Sequence, residues 1–432
     1  MSEKFRYLLQ KLVRKTWWRC ALFSLFAVLA VALAALLGPA IPRDVATQLG
    51  SDSIDSLLNI LASSMLTVAI FSATTMVSSF SAVSSTATPR AAQLLIEDTT
   101  IQNTLAAFVG AFLYSVIALV GLHAHVYGDG GRLVLFGFTL VMLAVVVVVL
   151  LRWIDYLSVL GRLGETIRRV ELATADAMRQ RLDKPHLGGR PQAEGERGAH
   201  ALQAAATGFV QHVSMDLLQR HAEAAGCRLH LHVLPGAFVE PSVVLVTGDR
   251  PFDDAARQAI ADAVLVGTSR SFDHDPRFGM VVMGEIAARA MSASVNDPGT
   301  ALDVTAAAVR TLAVWAEGRR AQAAAPPEVL FDRVSAPALR DAGLVEDVFA
   351  PLARYGAPAV EVGIALQRAL GSVRRLGHPP FAAAAEAMAR YALARAGQAG
   401  LLPEELSLLQ AAAGAAASAA AEPQPSGHTA VP

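Results

Sequence analysis

Hydroxyl side chains are concentrated in one long apolar stretch of this chain. Between Ser63 and Thr88, thirteen of 26 residues are serine or threonine. At the three- and four-residue spacing of an α-helix, several of them fall on one stripe together with Phe71. The hydroxyl members of this stripe are Thr67, Thr74, Ser78, Ser81, Ser85 and Thr88. The stripe could line a polar path, which requires an oligomer because a single helix cannot enclose water. The alternative is close helix packing, with hydroxyls bonded to the carbonyl of the preceding turn.

Two polar loops in the carboxyl-terminal half form a second candidate site. Each leads into an Asp-Pro pair, a strong helix start because aspartate caps the first turn and proline fits its first position. If the loops fold back toward each other, their side chains could converge on a ligand or a partner. Capping and turn formation would explain the same residues without a ligand. The candidates in these loops are Arg270, Asp275, Asn296 and Asp297.

Arg90 and Asp98 lie between two apolar stretches and are predicted at the membrane interface. Pro89 is a stop signal for a helix that leaves the membrane, and the long Arg90 side chain can reach the lipid headgroups. The alternative is that Arg90 and Asp98 form a charged gate or a contact with the carboxyl-terminal domain.

Other site chemistry has little support in the sequence. His230 and His232 share one face of a predicted strand, but two imidazoles are too few for a zinc site, and no Cys-x-x-Cys or His-Glu-x-x-His motif occurs. No phosphate-binding loop, nucleophile elbow or pair of catalytic carboxylates is evident. The net charge of −1 gives no basis for a nucleic-acid partner. We therefore expect no metal, no cofactor and no nucleic-acid partner; enzymatic activity is left open, with the sequence indicating against it.

The apolar stretches must position these residues in a bilayer, where about 20 helical residues cross the hydrocarbon core. Four stretches have this character, and the predicted spans are about 20–40, 57–85, 104–126 and 133–152. Residues 1–19 form a basic amino terminus, and seven Lys or Arg residues follow the last span within Arg152–Lys184. Because Lys and Arg stay on the cytoplasmic side, the sequence predicts a multi-pass topology with both termini cytoplasmic.

The remaining chain is predicted to contain an α+β cytoplasmic domain followed by a helical region. We expect a stalk helix at 153–183, a linker at 184–207, the α+β domain at 208–317, a second linker at 318–327, a helical region at 328–414 and a disordered tail at 415–432. Within the α+β domain, the spacing predicts a helix over 209–225, strands over 227–234 and 237–247, a helix over 252–264, and two helices after Asp275 and Asp297. The predicted fold class is thus an all-α membrane domain of four transmembrane helices plus this α+β domain with its helical end.

Two groups of residues resemble a known bacterial family of predicted membrane proteins, domain of unknown function 2254. The first comprises Thr88-Pro89-Arg90, Asp98, Gln102 and Phe108–Tyr114; the second comprises Arg270, Asp275, Phe278-Gly279, Ile286–Ser292, Asn296-Asp297-Pro298 and Thr300-Ala301. The resemblance covers roughly residues 15–375. It departs from the family pattern where Thr88 replaces a serine, Ala293 a proline, and Pro241-Ser242 a glycine-containing turn. The resemblance implies four spans and a cytoplasmic domain, but no activity. The predicted location is the bacterial inner membrane.

Two functional hypotheses follow. The first is an oligomeric channel-like or transport protein, in which the second span lines the path for an ion or small molecule and the cytoplasmic domain regulates it. The alternative is a membrane-anchored sensor or scaffold whose cytoplasmic domain binds a ligand or partner. Both have the lipid bilayer as a partner, and the first requires a homo-oligomer.

Overall fold

A computed structural model of the chain describes residues 16–37, 51–96, 98–124 and 128–421. Their contacts divide them into two units. Residues 166–421, with 86–88, form the carboxyl-terminal unit, and the other described residues form the apolar helical unit. The described part of the chain contains fourteen α-helices and eight short strands, joined by loops and one 3₁₀ turn.

The apolar helical unit contains five helices. They are α1 (Thr16–Leu37), α2 (Ser51–Thr86), α3 (Pro89–Ile96), α4 (Thr99–His123) and α5 (Asp129–Val159). Among the described residues, three helices are long and apolar enough to cross a membrane: Ser53–Thr86, Thr99–His123 and Gly130–Val159. The predicted first span, 20–40, overlaps α1, which is not one of these three, and residues 38–40 lie outside the described part. The count of four spans therefore stays a prediction.

Apolar side chains at helical spacing bury one face of α2. Leu58, Leu61, Met65 and Ala69 are all less than 9% exposed and pack against α4 and α5. A polar contact also joins α4 to α5, because the buried Tyr114 hydroxyl lies 3.0 Å from Thr139 Oγ1 and 3.3 Å from the Leu135 carbonyl. The apolar residues at helical spacing thus pack α2 against its neighbours, and the other face of α2 is exposed.

The predicted stalk, 153–183, is not one continuous helix. Helix α5 extends through Val159, and α6 (Leu163–Asp183) begins after a break. Gly161 lies in that break with φ of +81°, a conformation that glycine adopts without steric cost. The glycine therefore ends one helix before the next begins.

The predicted linker at 184–207 and the start of the predicted helix at 209–225 differ from the structure. A short 3₁₀ turn (Pro185–Gly188) leads into β1 (Gly189–Pro191) and β2 (His200–Gln203), then β3 (Gly208–Val213) precedes α7 (Met215–Ala225). Phe209 and Val213 have helical spacing, but β3 pairs with strands on both sides. Strands of three to six residues are too short to give a clear period, which is why the sequence pattern missed them.

Two sheets form in the carboxyl-terminal unit. The additional elements are β4 (Leu229–Leu231), β5 (Phe238–Val239), β6 (Val244–Gly248), α8 (Asp254–Ala263), β7 (Val264–Gly267) and β8 (Phe331–Ala336). One sheet has the strand order β1-β8-β4-β6-β2, with β8 parallel to both neighbours, and the other has the order β5-β3-β7 and is antiparallel. Leu218, Leu231, Val246 and Ile260 are among the residues of the core that these elements bury. Strand β8 places the start of the predicted helical region, 328–414, inside a sheet.

Six helices complete the unit. They are α9 (Pro276–Ala290), α10 (Pro298–Ala324), α11 (Asp341–Tyr355), α12 (Val360–Arg374), α13 (Pro379–Ala396) and α14 (Pro403–Ala421). Helices lie where the sequence predicts them after 275 and after 297, and four more lie in or extend from the predicted helical region. Helix α10 continues through most of the predicted linker at 318–327, and α14 covers 415–421 of the predicted disordered tail; residues 422–432 lie outside the described part.

A glycine sets the distance between α9 and α11. A Cβ atom at Gly284 would lie 2.6 Å from the Asp347 carbonyl oxygen and 3.2 Å from Val348 Cα, both on the backbone of α11. We expect Gly284→Ala to lower the free energy of unfolding by about 1–3 kcal/mol, the usual cost of overpacking. Gly414 in α14 is the matched control because nothing lies within 4 Å of its added Cβ. Gly414→Ala should stabilise the chain by up to about 1 kcal/mol through helix propensity. Thermal unfolding of the full chain in detergent measures both, and a Gly284→Ala variant as stable as the parent would contradict the close approach.

Candidate functional site

An open cleft in the carboxyl-terminal unit is the main candidate for a ligand site. Its volume is about 520 Å³, within the range of roughly 300–1,000 Å³ that small-molecule sites occupy. The 3₁₀ turn with β1, the end of α10 with the segment after it, and the start of α13 form its walls. The ionisable side chains along it are His186, Arg319, Arg320, Glu328 and His378. The cleft therefore carries more basic than acidic groups.

One buried carboxylate holds two of these basic groups. Asp341 is 6% exposed and is the first residue of α11. Its Oδ2 accepts hydrogen bonds from Arg319 Nε at 3.2 Å and from His378 Nε2 at 2.6 Å. The start of a helix also favours a negative charge. Asp341 thus fixes the side chains of α10 and of the residue before α13 on the cleft wall.

A small cavity of about 20 Å³ shares Pro185, His186, Arg319 and Gln322 with the cleft lining. Arg181 and Trp315 also line this cavity, and both are almost fully buried. Arg181 Nη2 donates to the His274 carbonyl at 3.0 Å. Among the described residues, Arg181 Nη1 and Trp315 Nε1 are buried donors without an acceptor.

Burial changes the acidity of Arg181. Removal from water lowers its pKa to about 10, and the nearby charge of Asp275 opposes this shift. The guanidinium remains protonated at neutral pH. It is therefore a buried positive charge beside a cavity, with part of its hydrogen-bonding capacity unused.

The other donors at this cavity are already engaged. Gln322 Nε2 donates to the Leu182 carbonyl at 2.5 Å, and its Oε1 accepts from Arg319 Nη1 at 3.0 Å. The Arg319 guanidinium also lies 5.8 Å from the centre of the Trp315 ring. Arg319 is thus oriented by Asp341, Gln322 and the indole together.

His186 reaches the cleft from a strained turn. His186 and Leu187 have φ of 52° and 58°, in the left-handed region that non-glycine residues rarely adopt. The His186 ring donates from Nδ1 to the Ala336 carbonyl at 2.9 Å. Strained residues of this kind persist where surrounding contacts hold them and are frequent at ligand sites.

Of the residues predicted in the polar loops, Arg270 and Asp275 come together. Arg270 Nε and Nη2 each lie 2.7 Å from Asp275 Oδ2, and the guanidinium lies 5.0 Å from the Phe278 ring centre. Asp275 Oδ1 also caps α9 by accepting from the Phe278 N–H at 3.2 Å. Burial raises the pKa of Asp275, and Arg270 opposes that shift. A Cβ at Gly236 would overlap this carboxylate, so the pair is closely covered.

Asn296 and Asp297 do not join that pair. Asp297 N–H donates to the Ala290 carbonyl at the end of α9, whereas Asp275 caps its beginning. A 15-residue helix separates the two loops by about 22 Å, so the predicted convergence does not occur. Asn296 has φ of 47°, which asparagine tolerates better than most residues. Asp297 caps α10, accepting from the Thr300 N–H at 3.1 Å and the Thr300 hydroxyl at 2.6 Å.

The hydroxyl stripe lies on the exposed side of α2. Thr67, Thr74, Ser78, Ser81 and Ser85 are exposed, and Thr88 beyond the helix is buried. Several hydroxyls of this helix bond to its own backbone. These bonds run from Thr67 to the Ser63 carbonyl, from Thr74 to that of Ile70, from Thr75 to that of Phe71 and from Ser85 to that of Ala82, at 2.8–2.9 Å.

The two predicted interface residues have separate positions. Arg90 is exposed near the start of α3. Asp98 caps α4, with its Oδ1 accepting from the Thr100 N–H at 2.6 Å, and its Oδ2 accepts from the Tyr156 hydroxyl at 2.7 Å. Asp98 therefore ties α4 to α5.

The residues of the cleft are not among those predicted from the sequence. Arg181 fell in the predicted stalk, Arg319 in a predicted linker and Asp341 in a helical region with no assigned site. No spacing rule joins residues so far apart in the chain. Two signals were present: a histidine followed by glycines at 186–189, and a pair of arginines at 319–320 in a segment otherwise rich in alanine. Among the described residues, no group of three or more His, Cys, Asp or Glu side chains could hold a metal ion.

Substitutions of Asp297 test whether this residue acts as a cap for helix α10 or as part of a chemical site. Its pKa is lowered, first by the hydrogen bond from the Thr300 hydroxyl and then by that from the Thr300 backbone. A lowered pKa contributes stability above the unfolded value, about 3.9, that is lost as pH falls through the folded value. Asp297→Ala should lower the free energy of unfolding by about 1 kcal/mol at pH 7, and Asp297→Asn by less because asparagine also caps. The difference between Asp297→Asn and the parent should become smaller as the pH falls below the unfolded pKa. Urea unfolding of the full chain at pH 7 and pH 3 measures this; equal losses for both variants at pH 7 would contradict capping.

Comparison with known proteins identifies the family of this chain through one family model. No curated protein and no solved structure matches the chain. The model of one family matches residues 13–372, well over half of the sequence, and it agrees with the family expected from the two residue signatures. The chain therefore belongs to the family described as "Predicted membrane protein (DUF2254)".

Proposed function

We propose that this membrane protein is a membrane-anchored sensor whose carboxyl-terminal unit binds a small ligand in the cleft. The observation that carries the proposal is the wall of the cleft, where Asp341 holds Arg319 and His378 beside an open volume of about 520 Å³. Fixed polar groups at an open cleft of this size are typical of a ligand site. The apolar helices then serve to hold the unit at the membrane.

The contacts of α2 favour an anchor over a pore. The Thr67 and Thr74 hydroxyls donate to carbonyls of their own helix, so they need no water to satisfy them. Large apolar side chains are exposed on the same helix, with Ile70 and Val77 at 60% and 67%. A surface of apolar groups and internally bonded hydroxyls suits contact with lipid or with another apolar helix.

The second candidate is an oligomeric channel-like or transport protein. It is favoured by the outward position of the stripe, since Thr67, Thr74, Ser78, Ser81 and Ser85 are exposed in the single chain. In a homo-oligomer these side chains could line a path for an ion or small molecule between subunits. The cleft would then hold the ligand that regulates passage.

The proposed location is the bacterial inner membrane, with the carboxyl-terminal unit in the cytoplasm. The supporting observation is the distribution of Lys and Arg along the sequence, with six in residues 1–19 and seven in Arg152–Lys184. Four spans would place both termini on this side, and both candidate functions use the same topology.

Single cysteines along α2 distinguish the two candidates. Cys20 and Cys227 are first replaced by serine and alanine, and cysteine is then placed at Thr67, Thr74 or Ser78 in the full chain. Ile70 and Val77, which are exposed but apolar, are the matched control positions. An anchor predicts that a membrane-impermeant thiol reagent leaves all five cysteines unmodified.

Labelling of the stripe positions but not of the apolar controls would show a water-filled path and overturn the anchor proposal. Ser242→Cys, at an exposed position of the carboxyl-terminal unit, is the positive control for the reagent in permeabilised membranes.

A further inference from the structure

We infer that the small cavity beside the cleft is an anion subsite, which takes one oxygen of a carboxylate or phosphate group of the ligand. The inference rests on the proposed function in taking the cleft as the ligand site, and it names the ligand class. The ligand would be a small organic anion whose charged end meets Arg181 and Trp315 while its body lies in the cleft.

Two unsatisfied donors at one cavity are the first argument. Arg181 is 6% exposed and Trp315 is 2% exposed, and both line the cavity. Arg181 Nη1 and Trp315 Nε1 have no acceptor among the described residues. A buried donor left unpaired costs about 1–3 kcal/mol, and more when it is charged. One acceptor in the cavity would remove both costs.

The chemistry of the lining favours an anion over a water molecule. Water that accepts two N–H bonds must donate its own hydrogens to acceptors nearby. The only side-chain carbonyl among the lining residues, that of Gln322, already accepts from Arg319. Of the remaining polar side chains of the lining, Arg181, Trp315 and Arg319 are donors. His186 offers one acceptor, its Nε2, because its Nδ1 donates to the Ala336 carbonyl. Donors thus outnumber the free side-chain acceptors of the lining. An oxyanion needs only donors.

The charges around Arg181 also favour an anion as the occupant of the cavity. Arg319 is paired with Asp341, and the Asp275 carboxylate, whose charge acts on Arg181, is itself bonded to Arg270. The pKa of Arg181 is lowered to about 10 because burial outweighs the Asp275 charge. The guanidinium is thus incompletely neutralised by the protein, and Arg is the side chain best suited to carboxylate and phosphate oxygens.

The volumes of the small cavity and the cleft fit a ligand whose charged end enters the cavity and whose body lies in the cleft. A cavity of about 20 Å³ holds one water-sized group, since a single such group needs roughly 10–15 Å³. One carboxylate or phosphate oxygen fills it. The adjoining cleft, with the shared residues His186 and Arg319 at its wall, leaves about 520 Å³ for the rest of the molecule.

The test uses the full chain in detergent, with inorganic phosphate and acetate as probes and sodium chloride at matched ionic strength as the reference. Thermal unfolding is followed as each anion is titrated. The inference predicts saturable stabilisation by phosphate or acetate beyond that by chloride. Trp315→Phe, which removes the indole N–H, should weaken the apparent affinity about tenfold, as expected for one hydrogen bond to a charged group.

Two further variants complete the design. Trp153→Phe is the matched control, because Trp153 Nε1 is also a buried donor without an acceptor among the described residues but lies in the apolar helical unit. It should leave the anion response unchanged. Arg181→Met should abolish the response, and Trp315→Phe keeps the test valid if the methionine variant does not fold.

Equal stabilisation by all three salts would show only general screening and overturn the subsite. Unchanged anion affinity in Trp315→Phe would also overturn it, because the indole would then have a structural role alone. Either result leaves the sensor proposal open to another class of ligand. Conversely, labelling of the α2 stripe would overturn the anchor while leaving an observed anion response intact.

Discussion

A buried guanidinium is the constraint on which the carboxyl-terminal unit depends. Arg181, near the end of α6, lies out of water and is bonded to the backbone of His274, just before α9. It also lines a cavity with Trp315 of α10. A charge in such surroundings must be given acceptors or opposite charge. Arg181 thus joins helix α6 to the loop before α9, and Gln322 of α10 donates to the Leu182 carbonyl of α6, so the three elements meet beside this side chain.

Neighbouring ion pairs and close backbone contacts extend this arrangement to the rest of the unit. Arg277 of α9 donates two hydrogen bonds to the Asp347 carboxylate of α11, at 2.7 and 2.8 Å, and these bonds raise the pKa of Arg277. At the same crossing, Gly284 lets the two helices approach. Asp341 begins α11 and binds two of the basic groups of the cleft, Arg319 and His378. The helix packing and the cleft wall thus share one element, so α11 links the core to the site.

How far the sequence predicts this structure depends on how far apart along the chain the interacting residues lie. Asp275 and Asp297 mark the starts of α9 and α10 because caps act over three residues, and the structure shows both caps. The α2 stripe is visible as a period, but the period does not tell whether the hydroxyls face the core or the outside. Short strands such as β1 and β2 give no period at all. The meeting of Arg181 with Trp315 arises only from the packing of distant helices, and local spacing cannot encode it.

The most direct measurement of the central claim is the location of a heavy oxyanion in crystals of the full chain. Selenate scatters anomalously and has the shape and the hydrogen-bond acceptors of a phosphate or sulfate group. We expect an anomalous peak within hydrogen-bonding distance of Arg181 Nη1 and Trp315 Nε1, at the boundary of the small cavity and the cleft. Selenate bound elsewhere, with the two donors bonded to ordered water or to protein acceptors, would contradict both the anion subsite and the anion-binding role of the buried guanidinium.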